Sequence, residues 1–502
     1  MKKTLKKTGV AILTMAMLLS MGAMTAITAS AADPSITVAT STGLSEDDSV
    51  SVYKVATKDA SSWHWVGNFG NAGLDFKTIS GYSNNSADVK TAATKLAAIA
   101  KTQVNGADAT GKVGETIHVT DAGYYLVIAS PTNAALVAQP ILLEVKDAAT
   151  VEDVKVSPVS LTKVITKVQN ETAKVATDGK SAEAASGDTI HYRLVAQIPN
   201  YDASADVNKM QPFYLKDTSM KTLSSVEGSF NVAIGDTNTA AATSGVTGDV
   251  TLVRTDAQNF KVTLAGKELK DNGGKFLIVE FDATLGTDPV ISKNLGVADR
   301  SDANKNDVKL VYGNDFATGQ AIDKDGQPID DEDKKPTLED YADVYTSLLR
   351  VNKTFDNKKP TEGVSAKFAL YANKECTTVV REAAETDSDG IVSFKGLSSG
   401  TYFLAETEVH SSYKKLAEPV EIKIDVDAAK AVYTPVTNVT PIDEDNDGKA
   451  DGFETGINNP LLETLPATGG IGTYLFTIGG VSIVLLAGVL FVIYMKKRET
   501  EE

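Results

Sequence analysis

The stretch Gly400-Thr401-Tyr402-Phe403-Leu404-Ala405-Glu406 is an apolar and aromatic run that ends in one acidic residue. We interpret it as a strand, because aromatic side chains in short runs are typical of a pleated, half-buried surface. Comparable runs surround it, and turns rich in glycine and aspartate separate them. These runs are Leu348–Lys353, Ala366–Tyr371, Phe394–Leu397 and Val436–Asn438. The pattern predicts a β-sandwich domain over residues 340–440.

In this order, the runs resemble the small sandwich of the collagen-adhesin B-repeat type, which recurs in sortase-assembled pilins of Gram-positive bacteria. The resemblance implies an isopeptide bond between a lysine of the first strand and an asparagine of the last, with a glutamate as catalyst. In this sequence these residues are Lys353, Asn438 and Glu406. Burial lowers the pKa of a lysine and raises that of a carboxylic acid, so a neutral amine can meet a protonated acid.

A second domain is predicted over residues 156–322, where strand-like runs alternate with turns rich in glycine, aspartate and threonine. The clearest runs are Leu161–Lys167, Thr189–Ile198, Lys275–Phe281 and Asn306–Tyr312. This spacing suits an antiparallel sandwich. Residues 323–339 are dense in aspartate, glutamate and lysine, and are predicted to form a solvated linker.

The family resemblance extends to this second domain, whose larger sandwich would carry a comparable bond. It implies Lys163 and Asn306 as the bonded residues and Asp217 as the catalytic acid. Lys167 and Asn304 lie close to them in sequence and remain alternative partners.

The first domain, residues 32–155, is predicted to be β-rich with one helix. Apolar residues recur at helical spacing within Ser86–Lys101, whereas the flanking segments alternate as strands do. Trp63 and Trp65 predict core packing, with an aromatic binding patch as the alternative. Ile128 stands where the family would place the catalytic acid, so no bond is expected in this domain.

The two ends of the chain carry export and anchoring signals. A basic segment, an apolar run and small residues make residues 1–31 a signal peptide. At the other end, residues 472–495 are long and apolar enough to span a membrane, and the basic tail 496–502 keeps that end cytoplasmic.

The pentapeptide Leu465-Pro466-Ala467-Thr468-Gly469 precedes this span. Pentapeptide, span and basic tail together resemble the sorting signal of Gram-positive surface proteins. The resemblance implies that a sortase cuts between Thr468 and Gly469 and joins Thr468 to an amine of peptidoglycan or of another pilin subunit.

Charge and cysteine content exclude some classes of function. The net charge of −17 argues against nucleic acid and anionic lipid as partners. Cys376 is the only cysteine, so the exported chain has no internal disulfide.

Polymerising pilins of this family use a lysine in a Val-x-Val-Tyr-Pro-Lys motif near the end of the first domain. The corresponding stretch here is Val154–Val159, which has valine in place of that lysine. Lys155 is the candidate substitute, and Lys163 is a second candidate only if it makes no internal bond. Whether the subunit belongs to the shaft, the base or an accessory position stays open.

Residues 441–464 are predicted to form a stalk with a candidate calcium loop of EF-hand spacing, set against a plain acidic linker. Its ligands would be Asp443, Asp445, Asp447, Asp451 and Glu454. No other cofactor is expected.

The sequence as a whole predicts tandem immunoglobulin-like and B-repeat-type β-sandwiches with one N-terminal-domain helix and one C-terminal transmembrane helix. We interpret the chain as a structural subunit of a sortase-assembled pilus that supports adhesion, not as an enzyme. The alternative is a monomeric anchored adhesin that binds host matrix or glycan. An anchored hydrolase is a third candidate, although the four histidines, Cys376 and the glycine patterns form no familiar catalytic motif.

Overall fold

A computed structural model describes residues 34–498 of the chain, with several gaps. The gaps are 41–43, 61, 77–86, 101–102, 104–105, 134, 153, 204, 243–249, 293–299, 301, 324–326, 428–431, 444–449, 451 and 463–471. The predicted signal peptide and the Leu-Pro-x-Thr-Gly segment therefore lie outside the described residues. The described part is mostly β, which confirms the predicted fold class, and it divides into two compact units. The first unit comprises chiefly residues 34–346, and the second chiefly residues from 347 onward.

The first module, at the start of the first unit, is β-rich and contains one long helix. Its elements are β1 (Ser35–Val38), β2 (Ser49–Lys58), β3 (Trp63–Trp65), α1 (Ala87–Ala100), β4 (Ala109–Lys112), β5 (Thr116–His118), β6 (Gly123–Ser130), β7 (Leu136–Ala138), β8 (Ile141–Val145), β9 (Ala148–Val151) and β10 (Val156–Pro158). One sheet has the order β3-β2-β6-β8 with β4 also on β2, and another has the order β5-β1-β9. Helix α1 confirms the helix predicted over this segment.

The second module is a sandwich of two five-stranded sheets. Its elements are β11 (Ser160–Val168), β12 (Ser181–Glu183), β13 (Thr189–Gln197), β14 (Phe213–Ser219), β15 (Leu223–Ser225), β16 (Asn231–Gly235), β17 (Val250–Arg254), β18 (Asn259–Leu264), α2 (Gly266–Asp271), β19 (Phe276–Leu285), β20 (Asn306–Val311), β21 (Thr337–Tyr341) and β22 (Asp343–Tyr345). One sheet runs β11-β13-β19-β15 with β16 also on β19, and the other runs β17-β18-β14-β20-β21. Alternating apolar residues of both sheets form one buried core between them.

The predicted acidic linker 323–339 is not simply a linker. Thr337–Tyr341 is strand β21, which pairs antiparallel with β20 and completes the second sheet of the second module. Its alternation of half-buried and exposed residues was concealed in the sequence by the density of charge around it.

The third module, in the second unit, is a smaller sandwich. Its strands are β23 (Ser347–Phe355), β24 (Ala366–Tyr371), β25 (Val379–Glu385), β26 (Ile391–Leu397), β27 (Gly400–Val409), β28 (Val420–Asp427), β29 (Val432–Thr437), β30 (Thr440–Ile442) and β31 (Gly452–Asn459). A four-stranded sheet of order β26-β23-β31-β30 faces a five-stranded sheet of order β25-β24-β27-β28-β29.

The last strand of the third module lies beyond the predicted domain end at residue 440. Strand β31 pairs in parallel with the first strand, β23, so that Lys353 lies opposite Ile457 and Phe355 opposite Asn459. Residues 452–459, which we expected in a stalk, are therefore part of the sandwich. Their inward side chains include Phe453, which is fully buried.

The C-terminal helix α3 (Gly472–Arg498) is long and apolar. Within Thr473–Arg498, an 18-residue window has a mean hydropathy of 2.6, and none of that window is buried inside the described part of the chain. By length and composition it can cross a membrane, as the sequence predicted.

Candidate lysine–asparagine crosslink sites

The predicted triad of the second module meets in its core. Lys163 on β11 is fully buried, and its Nζ donates to the Asp217 carboxylate and lies 2.7 Å from Oδ1 of Asn306. Asp217 and Asn306 come from neighbouring strands of the opposite sheet, β14 and β20. Because Asp217 lies opposite Val308 and Asn306 two residues earlier, both side chains share one face. The lysine thus reaches across the core to an acid and an amide.

A bulge in β11 separates the two lysines that the sequence left as alternatives. Lys163 is inward with Ile165, but the pairing with β13 shifts after Ile165, and Lys167 is only half-buried. The rival asparagine, Asn304, has structural partners: it accepts from the Val290 N–H at 2.9 Å and donates to the Val290 carbonyl at 3.0 Å. Neither alternative belongs to the buried triad.

The surroundings of this triad shift the pKa values of Lys163 and Asp217 in the directions that favour their neutral forms. Burial raises the pKa of Asp217 to about 6, and the nearby Lys163 charge limits the rise. Burial lowers the pKa of Lys163, an effect that Asp217 opposes. The rings of Tyr192 and Phe281 lie 5.4 and 5.9 Å from the lysine Nζ, so apolar surface surrounds the amine. Both shifts favour a neutral amine beside a neutral acid.

The side-chain amide nitrogen of Asn306 is buried in this triad and is poorly hydrogen-bonded. Among the described residues, its Nδ2 has no hydrogen-bond partner of good distance and angle. An unsatisfied buried donor destabilises the fold by about 1 to 3 kcal/mol. Loss of that nitrogen as ammonia would remove this cost.

In the third module, the buried lysine and glutamate are those predicted, but the asparagine is different. Lys353 on β23 is fully buried, and Glu406 on β27 is 4% exposed. Asn459 on β31 is 1% exposed, and its Nδ2 donates to both Glu406 oxygens at 2.7 and 2.8 Å. Lys353 and Asn459 lie on one face of paired parallel strands, two positions apart in register. This arrangement places Asn459 within reach of the lysine side chain.

Asn438, predicted as the asparagine of this bond, is not among the buried groups that the structure brings together. Asn438 follows β29 with φ of 56°, in the left-handed region that asparagine tolerates in turns. Its side chain is exposed and its Nδ2 donates to the Glu421 carbonyl at 2.8 Å. Asn459 was missed because we assigned its segment to a stalk. The alternation Phe453, Thr455, Ile457, Asn459 is the signal that could have revealed a last strand.

Apolar surroundings also perturb Lys353. Burial lowers its pKa to about 8, and Glu406 opposes the shift. Its Nζ donates to the Thr354 carbonyl and lies 3.6 Å from the centroid of the Phe355 ring. Glu406 also accepts from the Leu416 N–H at 2.7 Å, which fixes the carboxylate.

One expected ligand of the candidate calcium loop has another partner in the structure. Glu454, expected as the last ligand, lies on β31 and accepts a hydrogen bond of 2.6 Å from Arg350 Nε. Asp445, Asp447 and Asp451 lie outside the described residues. Within the described ranges, no group of three or more acidic, histidine or cysteine side chains is arranged to hold a metal.

The two tryptophans of the first module pack into its core. The Trp63 and Trp65 rings contact Phe76 with centroid distances of 5.3 and 4.7 Å, and Trp63 also contacts Tyr124 at 4.8 Å. Both tryptophans are half-buried. This arrangement supports core packing over an aromatic binding patch.

The sequence matches two family models, a SpaA-type prealbumin-like fold domain over residues 348–439 and an LPXTG cell wall anchor motif over residues 462–502. This chain is a cell wall-anchored surface protein. The first match ends before β31, so the strand that carries Asn459 lies outside it.

This surface protein is similar in sequence to the trypsin-resistant surface T6 protein of Streptococcus pyogenes serotype M6. The two are 24% identical over 369 residues, which cover 62% of this chain and 65% of the relative. The chain therefore matches slightly less than two thirds of that protein's length.

The fold of the surface protein is similar to that of solved pilins. The T6 backbone pilin of S. pyogenes matches with a TM-score of 0.60 and 15% identity, covering 87% of this chain and all of that one. The major pilin SpaD of Corynebacterium diphtheriae matches with a TM-score of 0.50 and 15% identity, covering 86% and 98%. The chain thus shares the multi-domain fold of sortase-assembled major pilins, as its sequence predicted.

Proposed function

We propose that this protein is a structural subunit of a sortase-assembled pilus, held to the cell wall through Thr468 and stiffened by two internal lysine–asparagine bonds. The single observation that carries the proposal is the Lys163–Asp217–Asn306 triad, buried in a pilin-like sandwich. A buried charged pair is often no more stabilising than apolar side chains of the same volume, so a covalent product is a better reason for its presence.

The proposed reaction begins with the neutral amine of Lys163. Nζ attacks Cγ of Asn306 while the protonated Asp217 donates to the amide, and a new C–N bond forms as the Cγ–Nδ2 bond breaks. The proton lost by the lysine passes through the aspartate to the departing nitrogen, which leaves as ammonia. The fold holds amine and amide 2.7 Å apart from Nζ to Oδ1, so no bimolecular encounter is needed.

In the third module, Lys353, Glu406 and Asn459 take the same roles. As placed, the Asn459 Nδ2 donates to Glu406, while its Oδ1 has no hydrogen-bond partner among the described residues. Rotation of the amide by half a turn would direct the oxygen at the Glu406 carboxyl group, which would then polarise the carbonyl for attack by Lys353. The bond would join the first and last strands of the sandwich, β23 and β31.

Assembly into a polymer requires an acceptor amine, and we propose Lys155 for this role. Lys155 is exposed, in the connection between β9 and β10, and its own carbonyl accepts from the Gln139 N–H at 2.8 Å. The amine is thus accessible while its backbone is held. Incubation with a pilin-type sortase should yield a ladder of multimers that disappears in Lys155→Arg but persists in Lys146→Arg, which alters another exposed lysine of the same module. A ladder that survives in Lys155→Arg would reject this acceptor.

Resistance to protease is the functional consequence that we expect, in line with the name of the T6 relative. A chain whose β-sandwiches are covalently closed cannot open fully, so trypsin has few accessible sites. We expect the wild-type β modules to survive digestion that degrades a double variant, Asp217→Ala with Glu406→Ala. Equal digestion of both proteins would count against internal bonds.

A further inference from the structure

The second module contains a segment that holds both proposed reactants by their backbones. We define the closing segment as residues 337–345, which form β21 and β22 and follow every other strand of the module in sequence. Two of its aspartates, Asp340 and Asp343, lie three residues apart. One contacts the backbone of Lys163 and the other that of Asn306.

Asp340 fills a gap in hydrogen bonding at a sheet edge. Strand β11 is the end strand of its sheet, so one side of its backbone has no neighbouring strand in that sheet. At Lys163 the N–H donates to Asp340 Oδ2 at 2.6 Å, and the carbonyl accepts from Lys180 Nζ at 2.7 Å. Asp340 and Lys180 also form an ion pair with each other. The two side chains thus replace a strand and fix the position of the lysine.

Asp343 holds the backbone of the asparagine, Asn306, in a similar way. Its Oδ1 accepts from the Asn306 N–H at 3.3 Å, while the Asn306 carbonyl accepts from the Ala342 N–H at 3.1 Å. Asp343 is fully buried, and Arg300 holds its carboxylate with hydrogen bonds of 2.5 and 2.6 Å. The backbone of Asn306, whose amide would be attacked, is therefore held by the same segment that holds the backbone of Lys163.

The two halves of this arrangement are also joined to each other. The Asp343 N–H donates to the Lys180 carbonyl at 2.9 Å, and β22 pairs in parallel with β12, which begins one residue after Lys180. Displacement of the closing segment would release Lys163 and Asn306 together.

From these contacts we infer that the closing segment positions both reactants, and that Asp340 and Asp343 are positioning residues for the Lys163–Asn306 bond. This inference rests on the proposed function, because it presumes that the bond forms. The bond then forms efficiently only after the last strands of the module have docked, since until that moment both reactants lack these backbone contacts. A module whose closing segment is misplaced would therefore not be crosslinked efficiently.

The test follows bond formation in time. The chain from Ala32 onward is made in a short cell-free pulse in detergent and stopped in acid denaturant at intervals. After digestion, mass spectrometry quantifies the crosslinked peptide pair of Lys163 and Asn306. We expect Asp340→Ala and Asp343→Ala each to slow the appearance of this peptide pair about tenfold or more, because a small misplacement of reacting groups lowers the reaction rate strongly. Asp340→Asn, which keeps an oxygen acceptor for the Lys163 N–H, should recover much of the rate.

Two controls separate positioning from general destabilisation. Glu339→Gln removes a charge from the same strand at an outward residue paired with Lys309, and should leave the rate unchanged. Val232→Ala loosens the core of the same module away from the closing segment. The loss of Tm caused by each substitution is measured in an Asn306→Ala background, which lacks the bond. At an equal loss of Tm, Val232→Ala should slow bonding much less than Asp340→Ala.

The outcomes are distinct. Wild-type chain without the crosslinked pair would refute the proposed function itself. Wild-type chain with the pair, and Asp340→Ala and Asp343→Ala with unchanged rates, would overturn the positioning role alone. Equal slowing in Val232→Ala at matched stability would also overturn it, because the effect would then be one of stability.

Discussion

The triads of the second and third modules contain the same kinds of groups in different architectures. In the second module the lysine comes from one sheet, and the acid and amide come from the other, so the bond would cross the core. In the third module lysine and asparagine lie on adjacent parallel strands of one sheet, and only the glutamate comes from the facing sheet. The proposed bond of the second module would tie two sheets together, and that of the third module would tie the first strand to the last.

The difference shows in how each lysine is held before reaction. Lys163 already contacts both its acid and its amide, whereas Lys353 donates to a backbone carbonyl and Glu406 contacts the amide instead. Loss of the acid should therefore affect the two modules unequally.

The largest effect is expected for Asp217→Ala. It abolishes a crosslink that closes a span of 143 residues, worth about 5 kcal/mol by loop entropy, if the bond acts as a disulfide does. It also leaves a buried amine without its ionic partner, at a further cost of about 3 to 5 kcal/mol. We expect the second module to unfold in urea well before the third, as followed by hydrogen exchange. Wild-type hydrogen-exchange protection of the second module in this variant would contradict the expected difference between the two modules.

Asn459→Ala should have a smaller effect, confined to the third module. It removes a crosslink over about 100 residues, worth about 5 kcal/mol by the same argument, but leaves Lys353 with its carbonyl partner. Urea unfolding of the third module should shift accordingly, and the crosslinked Lys353 peptide should vanish. Survival of that peptide would show that another asparagine reacts.

The unlinked Asn459→Ala variant should also become more stable as pH rises. Burial holds the pKa of Lys353 at about 8 in the folded chain, below the ordinary value of 10.5. Below pH 8 the amine is charged in both states and the cost of burying it is fully present. Between the two values the unfolded chain binds more protons, so the free energy of unfolding rises, by up to about 3 kcal/mol.

Urea unfolding between pH 7 and pH 10 measures this slope, and Lys353→Met in the same background should flatten it. A flat profile with Lys353 present would mean that the amine is not buried as described.

The smallest effect is expected for Asn438→Ala. Because Asn438 is exposed and donates to the Glu421 carbonyl, its loss should change stability by less than about 1 kcal/mol. The deficit from its own calculated mass and the crosslinked peptides should be those of the wild-type chain. Loss of the third-module bond in this variant would show that Asn438, and not Asn459, is the partner.

The sequence predicted the parts of these sites that lie in continuous strands with clear patterns. Lys163, Asp217 and Asn306 were named through the family resemblance, and each lies in a strand whose alternation agrees with its buried position in the structure. Lys353 and Glu406 follow the same logic.

What the sequence could not reveal is pairing between distant segments. Asn459 reaches its site through a parallel pairing with a strand about 100 residues away, and a local pattern carries no information about such a partner. Acidic residues near β31 and β21 also made both strands resemble solvated segments. The backbone contacts of Asp340 and Asp343 depend on the placement of that misread strand.

The most direct test of the account is the intact mass of the chain from Ala32 onward, made without any sortase. Each internal bond removes one ammonia, about 17 Da, so we predict a deficit of about 34 Da. The deficit should fall to about 17 Da in Asn459→Ala and stay at about 34 Da in Asn438→Ala. A wild-type mass equal to the calculated value would show that neither triad reacts and would contradict the central claim.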